Sequence, residues 1–260
     1  MSGVTANPED HLLARDLATE AGRLLVDLRA RLVAEDADGP TLKAEGDRAS
    51  HELLMSRLAD ARPNDAVLSE EGKDDHARLD AARVWIVDPL DGTREFSEPP
   101  RDDWAVHVAL VVDGAPVCGA VALPARNLTL STAEPAPTRP AAHDQPRVVV
   151  SRTRFPEIVM QLTERLGGET VPLGSAGAKT MAVVLGDVDV YAHAGGQYEW
   201  DSCAPVAVAL SAGLHASRID GSTLHYNNAD PSLPDLLVCP PELANRCLAL
   251  LAELTAEGLT

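Results

Sequence analysis

Aromatic residues are scarce in this 260-residue chain: three Trp, three Tyr and two Phe make up 3% of it. A core without many rings must rely on Leu, Val and Ala, and a hydrophobic content of 45% suffices for one large domain or two modest subdomains. Positive charge is short as well. Lys and Arg total 22 against 40 Asp and Glu, leaving a net charge of -18. Such a surface repels a phosphate backbone, so no nucleic-acid partner is expected. Small anions are repelled too, unless bound cations reverse the field locally. The cysteines Cys118, Cys203, Cys239 and Cys247 lack CxxC spacing and read as reduced, buried thiols. No HxH or HExxH spacing exists among the eight histidines, which argues against zinc; His107, in an alternating strand, reads as a packed or surface side chain. No window reaches transmembrane length, and the opening MSGVTANPED has neither a basic nor an apolar leader segment. The expectation is a soluble cytoplasmic protein with no membrane partner.

What the chain does have is alternating α and β patterning. Asn7-Pro8-Glu9-Asp10 reads as a cap, a proline in the first turn and acids against the helix dipole. Leu13, Leu17, Ala21, Leu24, Leu28 and Leu32 then recur at helical spacing, so a helix is predicted over 8–34. A second helix is predicted from about Asp47. AVLSEEG and RVWIVD read as strands, and WAVHVALVVDGAPVCGAVALP as a hairpin turning at Asp113-Gly114. Residues 132–147 are rich in Pro and Ala and read as a linker or surface excursion. It separates an N-terminal α+β subdomain, 1–131, from a C-terminal α/β subdomain, 148–260. In the latter, strands at RVVVS, TVPLGS, DVDVYA and DLLVCP alternate with helices from Pro156, over 177–186, from Asp201 to Gly213, and from about Glu242.

Acidic residues gather where these elements end: Glu70 and Glu71, Asp88, Asp91 and Asp201. Carboxylates at strand ends project into the crevice where ligands bind. In WIVDPLDGT, Pro89 restricts Asp88 and fixes its own φ, while Gly92 allows a sharp turn. That rigidity suits Mg²⁺, which tolerates little error in ligand placement. Alone, each motif has a plainer reading: a capped turn, a solvated strand end, a helix N-cap. Their joint occurrence in this order is what points to a metal centre.

WIVDPLDGT, with SEEG upstream and EWDSCAP more than a hundred residues later, resembles the inositol monophosphatase superfamily over about residues 10–255. The resemblance implies an α+β fold, the layered αβαβα sandwich, and a Mg²⁺-dependent, lithium-inhibited phosphatase using two or three ions. Carried over by position, Glu70, Asp88 and the Leu90 carbonyl would hold one ion, and Asp88, Asp91 and Asp201 a second. A third would use Glu70 and water. Asp47 and Thr93 resemble the pair that positions and deprotonates the attacking water. Gly92 and Thr93 would offer backbone N–H groups to the phosphate. The chain departs from the family before Asp47, where Lys43, Ala44 and Glu45 replace the usual Pro-Val-Thr stretch. The family is often dimeric, although no apolar stripe here compels a homodimer.

Three segments bear on the ester. Arg94-Glu95-Phe96 after DGT, GSAGAK at 174–179 and VSRTR at 150–154 resemble the bisphosphate nucleotidase branch of the family. That resemblance implies a small-molecule nucleotide substrate, 3′-phosphoadenosine 5′-phosphate, contacted through Arg94, Arg152, Gly174, Ser175 and Lys179. The plainer readings are surface loops and solvated basic side chains. Inositol 1-phosphate or fructose 1,6-bisphosphate hydrolysis on the same metal site is the nearest alternative, and a silent metal- or nucleotide-binding protein is the alternative of another class.

Overall fold

Local signals set the first helix where the pattern predicts it. In this computed structural model, which describes residues 5–74, 76–134, 139–140 and 142–259, Asn7 Oδ1 accepts from Asp10 N at 3.0 Å. Asp10 Oδ2 in turn accepts from Asn7 N at 2.9 Å. The helix is α1 (Pro8–Ala34), and α2 (Gly39–Ala61) follows. The second helix starts well before Asp47 because Asp38 caps it, accepting from Thr41 N at 2.9 Å, with Pro40 in the first turn. Lys43, Ala44 and Glu45 are therefore helical, and Asp47 is an interior position rather than a cap.

Onward the order is β1 (Ala66–Ser69), β2 (Val84–Asp91), α3 (Thr93–Phe96), β3 (Ala105–Val112), β4 (Ala115–Leu123), β5 (Leu128–Ser131), β6 (Arg147–Ser151), α4 (Glu157–Leu166) and β7 (Glu169–Leu173). Then come α5 (Ala176–Leu185), β8 (Val190–Tyr198), α6 (Glu199–Ser211), β9 (His215–Ser217), β10 (Ser232–Cys239) and α7 (Pro241–Ala256). One sheet has the order β1-β2-β3-β4-β5 and the other β7-β6-β8-β10-β9. In the first, β1 and β2 are parallel and the remaining pairs antiparallel. In the second, β6 runs parallel to both β7 and β8, while β10 is antiparallel to β8 and β9.

Period-2 alternation distributes the core among three layers of contact. Trp85 and Val87 pack with Leu17, Leu25, Leu54 and Leu58 under α1 and α2. Their neighbours Val84 and Ile86 face the other way, onto Met181, Val183, Val206 and Leu236 between the sheets. On the far side of the second sheet, Val148, Val150 and Val190 meet Ile158, Leu162, Cys247 and Leu251 of α4 and α7. The result is the αβαβα sandwich, with α5 and α6 as its middle layer. Small residues let that layer approach closely: a Cβ on Gly119 of β4 would stand 3.0 Å from the Ala207 side chain of α6. The two largest fully buried side chains are Trp85 and Trp104.

Of the predicted linker, residues 135–138 and 141 lie outside the described residues. The rest is anchored, since Arg139 and His143 both bond to Asp189, each at 2.9 Å. Two boundaries move near the site. Helix α6 opens at Glu199, so Asp201 stands in its first turn, where Oδ2 accepts from Tyr198 N at 2.6 Å. Strand β8 runs past the predicted end at Ala192 to Tyr198, through Gly195 and Gly196 at φ +95° and +85°, where its register with β10 shifts.

Candidate active site

β2 is buried along its whole length and delivers Asp88 and Asp91 to the edge of the middle layer. Its turn is held from several sides. Leu90 N donates to Asp88 Oδ1 at 3.0 Å, and Ser50 Oγ of α2 donates to the Pro89 carbonyl at 2.6 Å. Gly92 has φ +85°, and a Cβ there would come within 3.0 Å of Ser175 Cβ and 3.3 Å of Trp104 Cα, so glycine is required on both counts. Thr93 Oγ1 is 3.1 Å from the Leu90 carbonyl and 3.4 Å from Asp47 Oδ1. The predicted Asp47–Thr93 pair is thus brought together across α2 and α3.

Glu70, Asp88, Asp91 and Asp201 act on one another electrostatically. Burial, then repulsion from Glu70, Asp91 and Asp201, raises the Asp88 pKa well above the ordinary carboxylate value. Glu70 keeps solvent-exposed area yet is crowded by protein, and desolvation followed by Asp201, Asp91 and Glu71 pushes it up to about 7 against a hydrogen bond from Asp88. Asp201 rises to about 6 through burial and the Asp91 charge. Asp47 also rises to about 6, through burial and repulsion from Glu71, opposed by the Thr93 hydroxyl and Lys43.

Asp91 is the exception. Burial would raise it, but His107 together with hydrogen bonds from Ser175 and Gly177 holds it down at about 2. Its Oδ2 accepts from Ser175 Oγ at 2.5 Å and Gly177 N at 2.6 Å, and Oδ1 accepts from Ala176 N at 3.1 Å. Asp91 therefore caps the start of α5 from another layer. His107, directly opposite Asp88 in the β2–β3 register, is fully buried. Its Nδ1 is 2.9 Å from the Trp200 carbonyl, and Nε2 is 3.1 Å from Asp91 Oδ2, an ion-pair distance without hydrogen-bond alignment. Burial lowers its pKa, but the Asp91 charge and the Trp200 carbonyl outweigh that and leave it raised. His107 is thus a packed side chain, one of the two readings the sequence left open. It links the turn carrying Asp91 to the segment carrying Asp201, and only strand register could have revealed it.

Beside Asp91 and Asp201 opens a cavity of about 530 Å³, lined further by Ser175, Lys179, Arg154, His193, Gln197 and Tyr198. Lys179 is buried and, among the described residues, has no carboxylate at ion-pair distance; its Nζ lies 5.3 Å from the Tyr191 ring centroid. Burial lowers its pKa, opposed by Asp91, Asp201, Glu95 and Asp103. The other predicted substrate contacts fare differently. Arg152 does not line this cavity; it is neutralised by Glu95 at 2.7 Å and Glu98 at 2.9 Å, and Arg154, two residues on, lines it instead. Arg94 is exposed and also outside the cavity lining. Gly174 serves packing: a Cβ there would stand 2.2 Å from the Glu95 carboxyl carbon. The Ser175 hydroxyl lines the cavity but is engaged by Asp91 and by Ala178 N at 2.9 Å.

Carboxylate oxygens with a backbone carbonyl are the donor set of hard divalent cations. Here ligand atoms of Asp88, Asp91 and His107 lie within 4.8 Å of one another. Carboxylates that raise one another's pKa lack compensating charge from the protein, which is the electrostatic condition that such cations relieve. The donor set thus fits divalent ions.

Comparison with known proteins agrees with this geometry. The inositol monophosphatase family model matches residues 9–256. The chain belongs to the inositol monophosphatase family. Within that family, it is 50% identical over 257 residues to a 3′-phosphoadenosine 5′-phosphate phosphatase of Mycobacterium leprae, covering 94% of each chain. It is 32% identical over 206 residues to the 3′(2′),5′-bisphosphate nucleotidase CysQ of Escherichia coli, covering 75% of this chain and 82% of that one. Among solved inositol monophosphatase folds, CysQ from Bacteroides thetaiotaomicron superposes with TM-score 0.74 at 26% identity, over 89% of this chain and 97% of that one. No helix among the described residues is long and apolar enough to cross a membrane.

Proposed function

We propose that this protein is a Mg²⁺-dependent phosphatase that removes the 3′-phosphate of 3′-phosphoadenosine 5′-phosphate, releasing AMP and phosphate. Identity to relatives bearing that activity in their names supports the ester, and the carboxylate cluster supports the chemistry. The observation that carries the substrate reading is Lys179, a buried cation that has no carboxylate partner among the described residues and lines the cavity beside Asp91 and Asp201. A nucleotide with a second phosphate offers the charge this lysine lacks, whereas inositol 1-phosphate does not.

Glu70, Asp88, Asp91, Asp201 and the Leu90 carbonyl would hold two ions, and Glu70 a third. Bound there, divalent cations lower the pKa of water and offset charge on the leaving oxygen. The chain's own groups do the rest. Asp47, with its pKa near 6, accepts through Thr93 Oγ1 the proton of the attacking water. Backbone N–H groups of Gly92 and Thr93 orient the phosphate, and Lys179 with Arg154 receives the second one. The four free cysteines are buried and support a reducing, cytoplasmic setting.

The test is phosphate release from 3′-phosphoadenosine 5′-phosphate, inositol 1-phosphate and fructose 1,6-bisphosphate, with Mg²⁺ and with EDTA. A Mg²⁺-dependent kcat/KM about a hundredfold higher on the nucleotide, some 2.7 kcal/mol, is expected. Preference for either sugar ester would overturn the substrate and keep the metal chemistry.

A further inference from the structure

β8 ends in Gln197 and Tyr198, both lining the cavity beside Asp201. Gln197 is only 8% exposed, and its Oε1 and Nε2 are both buried without a hydrogen-bond partner among the described residues. A buried carboxamide with neither half satisfied is unfavourable, and in a cavity wall it marks a place where a ligand completes the pairing. Strand register fixes the direction it faces. Gln197 pairs with Leu233 and His193 with Leu236, and both leucines belong to the core between the sheets. Gln197 and His193 therefore face the same side, toward α5 and α6. Arg154 Nη1 donates to the Gly195 carbonyl at 3.2 Å, and His193 Nε2 bonds to the Gly196 carbonyl at 2.8 Å. The irregular glycine pair before Gln197 is thus held in one conformation.

Tyr198 supplies a different kind of surface. It is 50% exposed, and its ring stacks on Trp200 with centroids 4.7 Å apart and planes 11° from parallel. Backed by an indole, the phenol offers a flat, rigid face to whatever enters the cavity.

We propose that Gln197 and Tyr198 form an adenine seat. The base stacks on Tyr198, while Gln197 pairs with its amino-bearing edge, Oε1 accepting from the exocyclic amine and Nε2 donating to the adjacent ring nitrogen. An amide matches adenine in this bidentate way, whereas the major-groove edge of guanine presents two acceptors and leaves Oε1 unpaired. Pyrimidines present a smaller stacking face. The proposal rests on the nucleotidase reading above and adds which base is selected, and by which side chains.

The experiment measures kcat/KM for the 3′,5′-bisphosphates of adenosine, guanosine and uridine, on wild type, Gln197→Ala, Gln197→Glu and Tyr198→Ala. Ratios between substrates, taken on one preparation, are indifferent to the fraction of enzyme that folded. Wild type is expected to prefer the adenosine substrate by about tenfold or more, on the scale of one bidentate base contact. Both Gln197 variants lose that preference through KM, with the loss concentrated on adenosine. AMP is expected to quench the tryptophan fluorescence of wild type, since Trp200 backs Tyr198, and Tyr198→Ala is expected to need about tenfold more AMP for half of that quenching; an unchanged half-point removes Tyr198 from the seat. A wild type without base preference, or Gln197 variants that weaken all three substrates equally, overturns the seat and leaves the nucleotidase reading intact. No turnover of the adenosine bisphosphate by wild type overturns the nucleotidase reading itself, and the seat with it.

Discussion

Asp88 is the residue on which the proposed ion sites converge, and it is fully buried among like charges. Asp88→Asn keeps its shape and removes its charge. A fall in kcat of at least about a hundredfold is expected, the scale on which one preorganised electrostatic group acts. Near-normal turnover would remove Asp88 from the site. The same charges set a pH dependence. A carboxyl raised on folding contributes stability that is fully present below its ordinary value near 4 and is lost as pH climbs through the raised one. Asp47 and Asp201 at about 6 and Glu70 at about 7 therefore make metal-stripped protein less stable from about pH 4 to pH 7. Asp91, held at about 2, works oppositely: its contribution is present above about 4 and fades as pH falls toward 2. Calorimetry in EDTA should show Tm declining between about pH 5 and 7.5, and Mg²⁺ should flatten the decline because ions compete with protons for the same oxygens. A Tm rising through that window in EDTA would contradict the assignment. Legibility at this scale followed chemistry. The acids stood out at element ends and Thr93 came only through the family resemblance, but whether Arg152 or Arg154 faced the cavity depended on Glu95, a partner 57 residues from Arg152.

At the scale of elements, the helix pattern of α1 was readable to its end residues, because its caps and apolar period agree. The start of α2 was not, since the pattern placed it near Asp47 while the cap lies at Asp38. The extent of β8 was misjudged as well: the apolar pattern ends at Ala192, whereas the strand runs on through Gly195 and Gly196, which form an irregularity within it. Nor could any single-strand pattern show that His107 lies opposite Asp88 and against α5. That contact is tight, for a Cβ on Gly177 would stand 2.1 Å from His107 Nε2. Gly177→Ala should therefore destabilise the protein by about 1–3 kcal/mol, as overpacking does, and weaken Mg²⁺ binding by displacing His107 from Asp91. Calorimetry with and without Mg²⁺ checks both; an unchanged Tm would mean the contact yields easily.

For the whole molecule, composition forecast the electrostatic problem and the layers solve part of it. The αβαβα arrangement was implied by resemblance, whereas the order of elements alone only permitted it. Three apolar layers of contact now give it a physical basis. A net charge of -18 still repels an anionic substrate at long range, even though the cavity carries Lys179 and Arg154. Raising salt from about 10 to 150 mM shortens the screening length from about 30 to 8 Å. With tetramethylammonium chloride at saturating Mg²⁺, kcat/KM on the nucleotide should rise over that range; a steady fall would show that local cations dominate the approach.

The bonds from Ala176 and Gly177 to Asp91 tie a helix of the middle layer to a turn of the first sheet. Those two amide hydrogens can exchange with deuterium from solvent only when the layers part. Their exchange lifetimes are thus a clock on the opening of the site. The clock slows whenever an ion or a nucleotide holds the layers shut, whether or not any bond in the substrate is broken.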